Sequence, residues 1–277
     1  LKAAVFPLFS WLPDSYPAAP SPVSAVFAGL LTKVGVYAIV RTQTLLFPET
    51  NRELLLIIAG LTMVIGVLGA IAQSDMKRIL SFHIISQIGY MIMGVALGGV
   101  AAISATIFYM LHHIPVKTSL FLVEGIVERE TGSSTLGRVS GLARRSGPMA
   151  ALFLIPAFSL AGLPPFSGFL GKTAVVTEGL DQQSWWIVGA ALAVSLMTLI
   201  SMLKIWTGAF WGTPDPMPAA GEHAGILRKH PLMSGVTTAV VTLTLLIAVF
   251  AGPLYRLCER AAIDVTDVTA YPTAVLP

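Results

Sequence analysis

Seven times along this chain the sequence stays apolar for about the 20 residues that an α-helix needs to cross roughly 30 Å of hydrocarbon. The runs fall near 22–41, 53–73, 78–98, 101–126, 149–180, 184–211 and 231–253. They predict an all-α integral membrane protein, a polytopic helix bundle with about seven complete transmembrane helices plus a partial one at residues 1–12. Charge agrees with this: 11% of the 277 residues are charged and 55% hydrophobic, with mean hydropathy +0.79. A soluble domain usually carries about 25% charged residues. The net charge of +3 comes from Lys and Arg scattered through loops, with no basic run or nucleic-acid motif, so no nucleic-acid partner is expected. The lone Cys258 excludes an internal disulfide and any Cys-based metal or iron–sulfur site. The chain opens Leu1-Lys2-Ala3 without an initiator Met or a basic leader. The expectation is a fragment preceded by an N-terminal part.

Two regions break the pattern. Pro13, Pro17, Pro20 and Pro22 crowd the stretch after Leu12, which is expected to stop the partial helix and to form no regular one. The 149–180 run is too long for one straight crossing, and Gly162-Leu163-Pro164-Pro165-Phe166-Ser167-Gly168 interrupts it. A broken helix at membrane depth is tolerated only where protein or a water-filled cavity satisfies the freed backbone groups. Such breaks point to an ion or substrate route. Alternate crossing puts Lys77, Arg78, Arg129, Arg138, Arg144, Arg145, Arg228 and Lys229 on one side, and Arg41, Arg52, Arg256 and Arg260 on the other. The more basic side is then cytoplasmic. The tail after residue 254 reads as a short surface segment.

Lysine at the bilayer centre costs about 2.5–3.5 kcal/mol on insertion scales, so each one needs an explanation. Lys33 lies about 17 Å along its helix and Lys117 about 15 Å from the nearer end; Lys172 follows the Gly-Pro-Pro break. Bland readings pair such an amine with a carboxylate or a carbonyl, but no Asp or Glu falls deep in a complete span, Glu124 and Glu178 lying near expected helix ends. An amine near water and other charges can instead take up and release a proton. His113 precedes Lys117 by four residues and so shares its helix face, with Pro115 between them and His112 alongside. His83 and Gln87 share another face. His83 is either a proton-uptake group or merely interfacial, and Lys204 is close enough to its helix end to snorkel. No carboxylate or thiolate joins the histidines at ligand spacing, so no metal site is expected.

The run Trp11-Leu12-Pro13-Asp14, with Pro22-Val23-Ser24-Ala25 and Leu31-Thr32-Lys33-Val34-Gly35-Val36-Tyr37, resembles the antiporter-like subunits of respiratory complex I and of Mrp-type cation/proton antiporters. Asp75-Met76-Lys77-Arg78-Ile79-Leu80-Ser81, Ser86-Gln87-Ile88-Gly89-Tyr90, His113 with Lys117, and Gly162-Leu163-Pro164-Pro165 through Gly171-Lys172 extend the similarity to about residue 212. The dense prolines of Tyr16-Pro17-Ala18-Ala19-Pro20 and Lys172, where some complex I relatives carry Glu, most resemble the Mrp D subunit. The resemblance implies one membrane domain over 1–277, the C-terminal part of a 14-helix subunit, with the second inverted repeat inside it. It also implies that Lys2 stands for the lysine of the seventh helix, Lys33 for that of the eighth, His113 and Lys117 for the eleventh and Lys172 for the broken twelfth. Gln87 stands where several relatives have His, which leaves any relay there to water.

The resulting expectation is a proton-translocating subunit of a multi-subunit Na+/H+ antiporter in a bacterial cell membrane. It is an ion transporter subunit rather than an enzyme, needs no cofactor, and works beside other membrane subunits. Protons would move along Lys2, Lys33, His113, Lys117 and Lys172, with His83, Gln87, His112 and Lys204 as secondary candidates and Gly162, Pro164, Pro165 and Gly168 marking the break. Two alternatives stand beside it: the same subunit type in a redox-driven complex I-like oxidoreductase or membrane hydrogenase, and a structural membrane-arm subunit without transport.

Overall fold

Proline-rich turns give way to helix early in the chain. The computed structural model describes residues 1–47, 50–212, 227 and 230–268. After turns over residues 1–10 come α1 (Trp11–Ala18) and α2 (Ser21–Val26), which passes through a π-helical turn, Phe27–Leu31, into α3 (Thr32–Leu45). Then follow α4 (Arg52–Ala72), α5 (Met76–Leu97), α6 (Gly99–Thr131), the single turn α7 (Leu142–Arg145), α8 (Gly147–Ala161) and α9 (Ser167–Asp181). Helix α10 (Trp185–Ile205) is prolonged by a π-helical turn, Trp206–Phe210, and α11 (Pro231–Val249) and α12 (Ala251–Thr266) complete the described chain.

Residues 1–10 are not the tail of a helix. Ala4, Leu8 and Leu12 each bond the carbonyl three residues back, so these are successive turns rather than an i→i−4 ladder. Conversely, the proline-rich stretch does hold a helix. Pro13 sits in the first turn of α1, where its missing N–H leaves nothing unsatisfied, and Pro17 comes just before the end.

Six helices among the described residues are long and apolar enough to cross a membrane: Ser21–Leu45, Arg52–Ala72, Met76–Leu97, Gly99–Thr131, Trp185–Phe210 and Pro231–Val249. The 149–180 run is divided into α8 and α9, of 15 residues each. Helix α8 stops because Gly162 turns left-handed, φ +85°, and its N–H folds back on the Phe158 and Ser159 carbonyls. Pro164 and Pro165 then supply no donor to continue the ladder.

Helix α5 is the centre of the bundle, with 94% of its most apolar window buried, whereas α11 at the rim has 22%. Small residues bring α4 and α5 together: a Cβ on Gly89 would lie 2.7 Å from the Met63 backbone nitrogen, and one on Gly66 2.7 Å from the Ser86 Cα. Backbones this close pack by dispersion where lipid gives no hydrophobic drive. Helix α6 contacts α2, α5, α8, α9, α11 and α12.

Of the tail beyond 254, residues 255–266 are part of a helix rather than a short surface segment, and 269–277 lie outside the described residues. Tyr255, Cys258, Ala262 and Val265 recur at three- and four-residue intervals and face inward, while Arg256, Glu259, Arg260 and Asp264 make the other face too polar to stand out as a span. Tyr255 packs its ring 5.6 Å from that of Phe108, on α6.

Loop charges gather as the alternation of crossings requires. At one end Met76 N donates to Ser134 O at 2.9 Å, Leu136 N to Ser74 O at 2.9 Å and Gly141 N to Trp211 O at 3.0 Å, beside the Lys77–Glu128 and Arg78–Asp14 ion pairs. Elsewhere Arg41 donates to Val265 O, and Arg52 to Gln182 and Ser184. Arg228 and Lys229 lie outside the described residues.

Candidate functional site

Two of the intramembrane lysines, Lys33 and Lys172, sit where the helix ladder is disturbed and a carbonyl is placed to receive the amine. The π-helical turn Phe27–Leu31 widens the helix just before Lys33, and Lys33 Nζ donates back to the Ala28 carbonyl at 2.5 Å. The residue is 4% exposed. The break after α8 does the same for Lys172. Its Nζ donates to Ala161 O, at the last residue of α8, at 3.1 Å and to Ser195 Oγ at 3.1 Å. The aliphatic stem lies across Gly162, where a Cβ would come within 2.8 Å of its Cδ. Lys172 Nζ also stands 5.1 Å from the centre of the Tyr90 ring, a cation–π distance.

Between these two lies α6. It runs unbroken through Pro115, and His112, His113 and Lys117 are all fully buried. Lys117 Nζ donates to the Leu80 carbonyl on α5 at 3.1 Å. His112 Nδ1 shares a hydrogen bond of 2.9 Å with Ser167 Oγ at the start of α9, and Ser167 Oγ is 3.3 Å from Ser159 Oγ on α8, so the histidine is tied to both sides of the break. His113 lies within electrostatic reach of Lys33, Lys117, His112 and Lys172. Lys33 likewise acts on Lys117. The structure thus brings together Lys33, His112, His113, Lys117 and Lys172.

His83 is enclosed by the bundle. It is fully buried on α5, its Nε2 2.9 Å from Ser201 Oγ on α10, within electrostatic reach of Lys117 and Lys172. Gln87 is buried one turn on and accepts a hydrogen bond from the Tyr109 hydroxyl. Tyr109 in turn packs on Tyr90, His112 and His113, with ring centres 5.7, 5.5 and 6.4 Å away. Sequence reasoning passed over both tyrosines, although a tyrosine inside a span carries a hydroxyl that must find a partner. Tyr90 finds the Ala191 carbonyl.

Lys2 is exposed on a turn; its backbone packs on α3 at Gly35, two residues after Lys33. Lys204 instead binds the Ile71 and Gln73 carbonyls, at 2.8 and 2.6 Å, where α4 ends. That is a helix-end tie.

Among the described residues, six of the buried polar atoms without a protein partner follow the same line, Thr32 Oγ1, His83 Nδ1, Gln87 Nε2, His112 Nε2 and both nitrogens of His113; the others are Glu124 Oε1, Ser234 Oγ and the Nε atoms of Arg52, Arg78 and Arg145. Polar atoms in a low-dielectric interior are costly unless hydrogen-bonded, and this row offers donors and acceptors suited to water and to a moving proton. Among the described residues no group of three His, Cys, Asp or Glu is placed to hold a metal ion.

One carboxylate is deeper than expected. Helix α6 extends to Thr131, so Glu124 is well inside it and fully buried.

The profile of the family described as "NADH:quinone oxidoreductase/Mrp antiporter, TM" matches residues 1–198. The chain is 43% identical to the D subunit of a "Na(+)/H(+) antiporter" of Alkalihalophilus pseudofirmus, over 100% of this chain and 56% of that protein. Among solved structures it resembles a chain of the "Mrp complex from Dietzia sp. DQ12-45-1b", with TM-score 0.92 and 36% identity, covering 100% of this chain and 59% of that one. It also resembles a chain of "Respiratory complex I from Thermus thermophilus with bound NADH", with TM-score 0.80 and 28% identity, covering 96% and 56%. The chain spans about half the length of the curated relatives it matches.

Proposed function

The chain belongs to the NADH:quinone oxidoreductase/Mrp antiporter membrane family, and from that membership we propose that it is the proton-translocating part of a Na+/H+ antiporter subunit. The subunit works in a bacterial cell membrane beside other membrane subunits. The observation that carries this reading is the buried series Lys33, Lys117, His113, His112 and Lys172, whose amines rest on carbonyls and a hydroxyl rather than on carboxylates. A lysine fixed in a salt bridge holds its proton; a lysine on a neutral carbonyl is free to exchange it. Like charges this close repel strongly where the dielectric is low, so charging one group favours discharge of the next and protons advance singly through water and the His112–Ser167 link. Lys2 stands at the Lys33 end of this route.

In the same reading α8 and α9 together make a seventh crossing. The single membrane domain corresponds to the C-terminal part of a 14-helix subunit and contains its second inverted repeat, which the half-length coverage of the relatives supports. A redox-driven proton pump is the second reading, supported by the likeness to complex I.

The two separate in everted membrane vesicles that carry the full-length subunit with its partner subunits. Added Na+ should dissipate a respiration-driven pH gradient, and deleting this subunit should abolish the response. A gradient indifferent to Na+, with quinone reduction by NADH lost on deletion, would favour the redox-driven pump.

A further inference from the structure

We propose that Glu124, working through Ser21 and Glu128, loads protons into the lysine–histidine route from the Lys77 end of the bundle. The inference rests on the transport reading above and adds the group that feeds it. Glu124 is a fully buried carboxyl on a helix that also buries three basic side chains, His112, His113 and Lys117. Its Oε2 accepts a long hydrogen bond from Ser21 Oγ, 3.4 Å, and its Oε1 has no partner. The same Ser21 hydroxyl is 3.3 Å from Glu128 Oε2. Glu128 lies one turn further out on α6, its side chain 38% exposed and paired with Lys77 Nζ at 2.7 Å. A carboxyl open to water, a hydroxyl and a buried carboxyl therefore stand in line.

This contact exists because of Gly125. A Cβ there would run into Ser21 and come within 2.6 Å of Met233 Cε, so only glycine lets α2 bring the hydroxyl against α6. Among the described residues the charged groups facing Glu124 are Lys77 on α5, Asp75 at the cap of α5 and Glu128 on α6 itself. Lys77 already occupies Glu128 Oε2, which disfavours a metal cation in the same place and leaves a proton as the fitting cargo.

The transfer balances. A proton on Glu128 passes to Ser21 Oγ as the serine's own hydrogen passes to Glu124 Oε2, leaving Glu128 ionised and Glu124 neutral. A half-turn of the Glu124 carboxyl then carries the O–H to the unpartnered side. Inward, Glu124 and Lys117 are seven residues apart, about two turns, and so share one face of α6. Lys117 Nζ is held by Leu80 O, one turn of α5 from Lys77. Water completes the interval.

The test uses vesicles with the complete complex. Positioned proton-transfer groups are worth roughly a hundredfold or more in rate, and with water as a partial substitute Glu124→Gln should slow Na+-driven proton flux about tenfold with assembly intact, while Glu124→Asp keeps much of the rate. The infrared C=O band of a neutral carboxylic acid should be present in wild type and missing in Glu124→Gln, which a packing defect would not produce. Wild-type flux in Glu124→Gln beside a dead Lys172→Ala would overturn the loading role and leave the transport reading standing. Wild-type flux in Lys172→Ala would overturn the transport reading instead. Should Glu124→Gln not assemble, Ser21→Ala decides: slowed flux supports the bridge, and wild-type flux overturns it.

Discussion

His113 and Lys117 are one helical turn apart, roughly 6 Å, and both are fully buried, with neither ring nitrogen of His113 meeting a protein partner. On the proposed transport reading these two basic groups act as one proton-holding unit, because charging both at once is opposed by repulsion. His113→Gln and Lys117→Ala are each expected to cut transport about tenfold or more, and the double variant no further, as residues of one unit behave. Measured rates of the two singles and the double check this, and losses that multiply would break the unit apart. That Lys33, His112, His113, Lys117 and Lys172 lie inside the bundle was legible in the sequence, because a charge inside an apolar run stands out. Their partners were not. Ser167, Ser195, Ser201, Tyr90 and Tyr109 are ordinary in membrane helices, and only the fold shows that they converge on His112, Lys172, His83 and Gln87. Glu124 was hidden differently: its helix continues past Glu128 and Glu130 to Thr131, where the charges suggest an earlier end.

Among elements, the break between α8 and α9 does the most for the site. It ends α8 at Ala161, frees that carbonyl for Lys172 and clears room over Gly162 for the lysine stem. Gly162→Ala places a side chain at φ +85°, at a cost of about 1–3 kcal/mol, and drives a Cβ to 2.8 Å from Lys172 Cδ. A lowered thermal midpoint and slowed transport are expected in the assembled complex. Gly147→Ala, where a Cβ meets nothing within 4 Å, serves as the control and should leave both unchanged. Equal behaviour of the two variants would remove the break from the account. The break could be read from Gly162, Pro164 and Pro165, since missing donors and a left-handed glycine have few other uses in a span. Helix α1 could not, because proline in a first turn and proline in a breaker look alike in sequence. Helix α12 escaped notice because its charged face masks a narrow apolar one.

At the scale of the whole molecule, a central, almost fully buried α5 and a long α6 carry the polar groups, and apolar helices such as α10 and α11 shield them. The chain keeps the expensive groups on one internal line and spreads the loop charges to the ends. This arrangement was readable in outline from the spacing of apolar runs and loop lysines and arginines. The convergence of Lys33, Lys117 and Lys172 from three separate segments was expected only through the family resemblance and not from spacing, since it depends on which helices touch. That convergence is the core of the account, and proton flux through the complete complex in sealed proteoliposomes tests it most directly. With an imposed Na+ gradient and a trapped pH dye, wild type should acidify or alkalinise the lumen according to the gradient's direction, and Lys33→Ala should reduce that flux to the background of protein-free liposomes. Wild-type flux through an assembled Lys33→Ala complex would contradict the account.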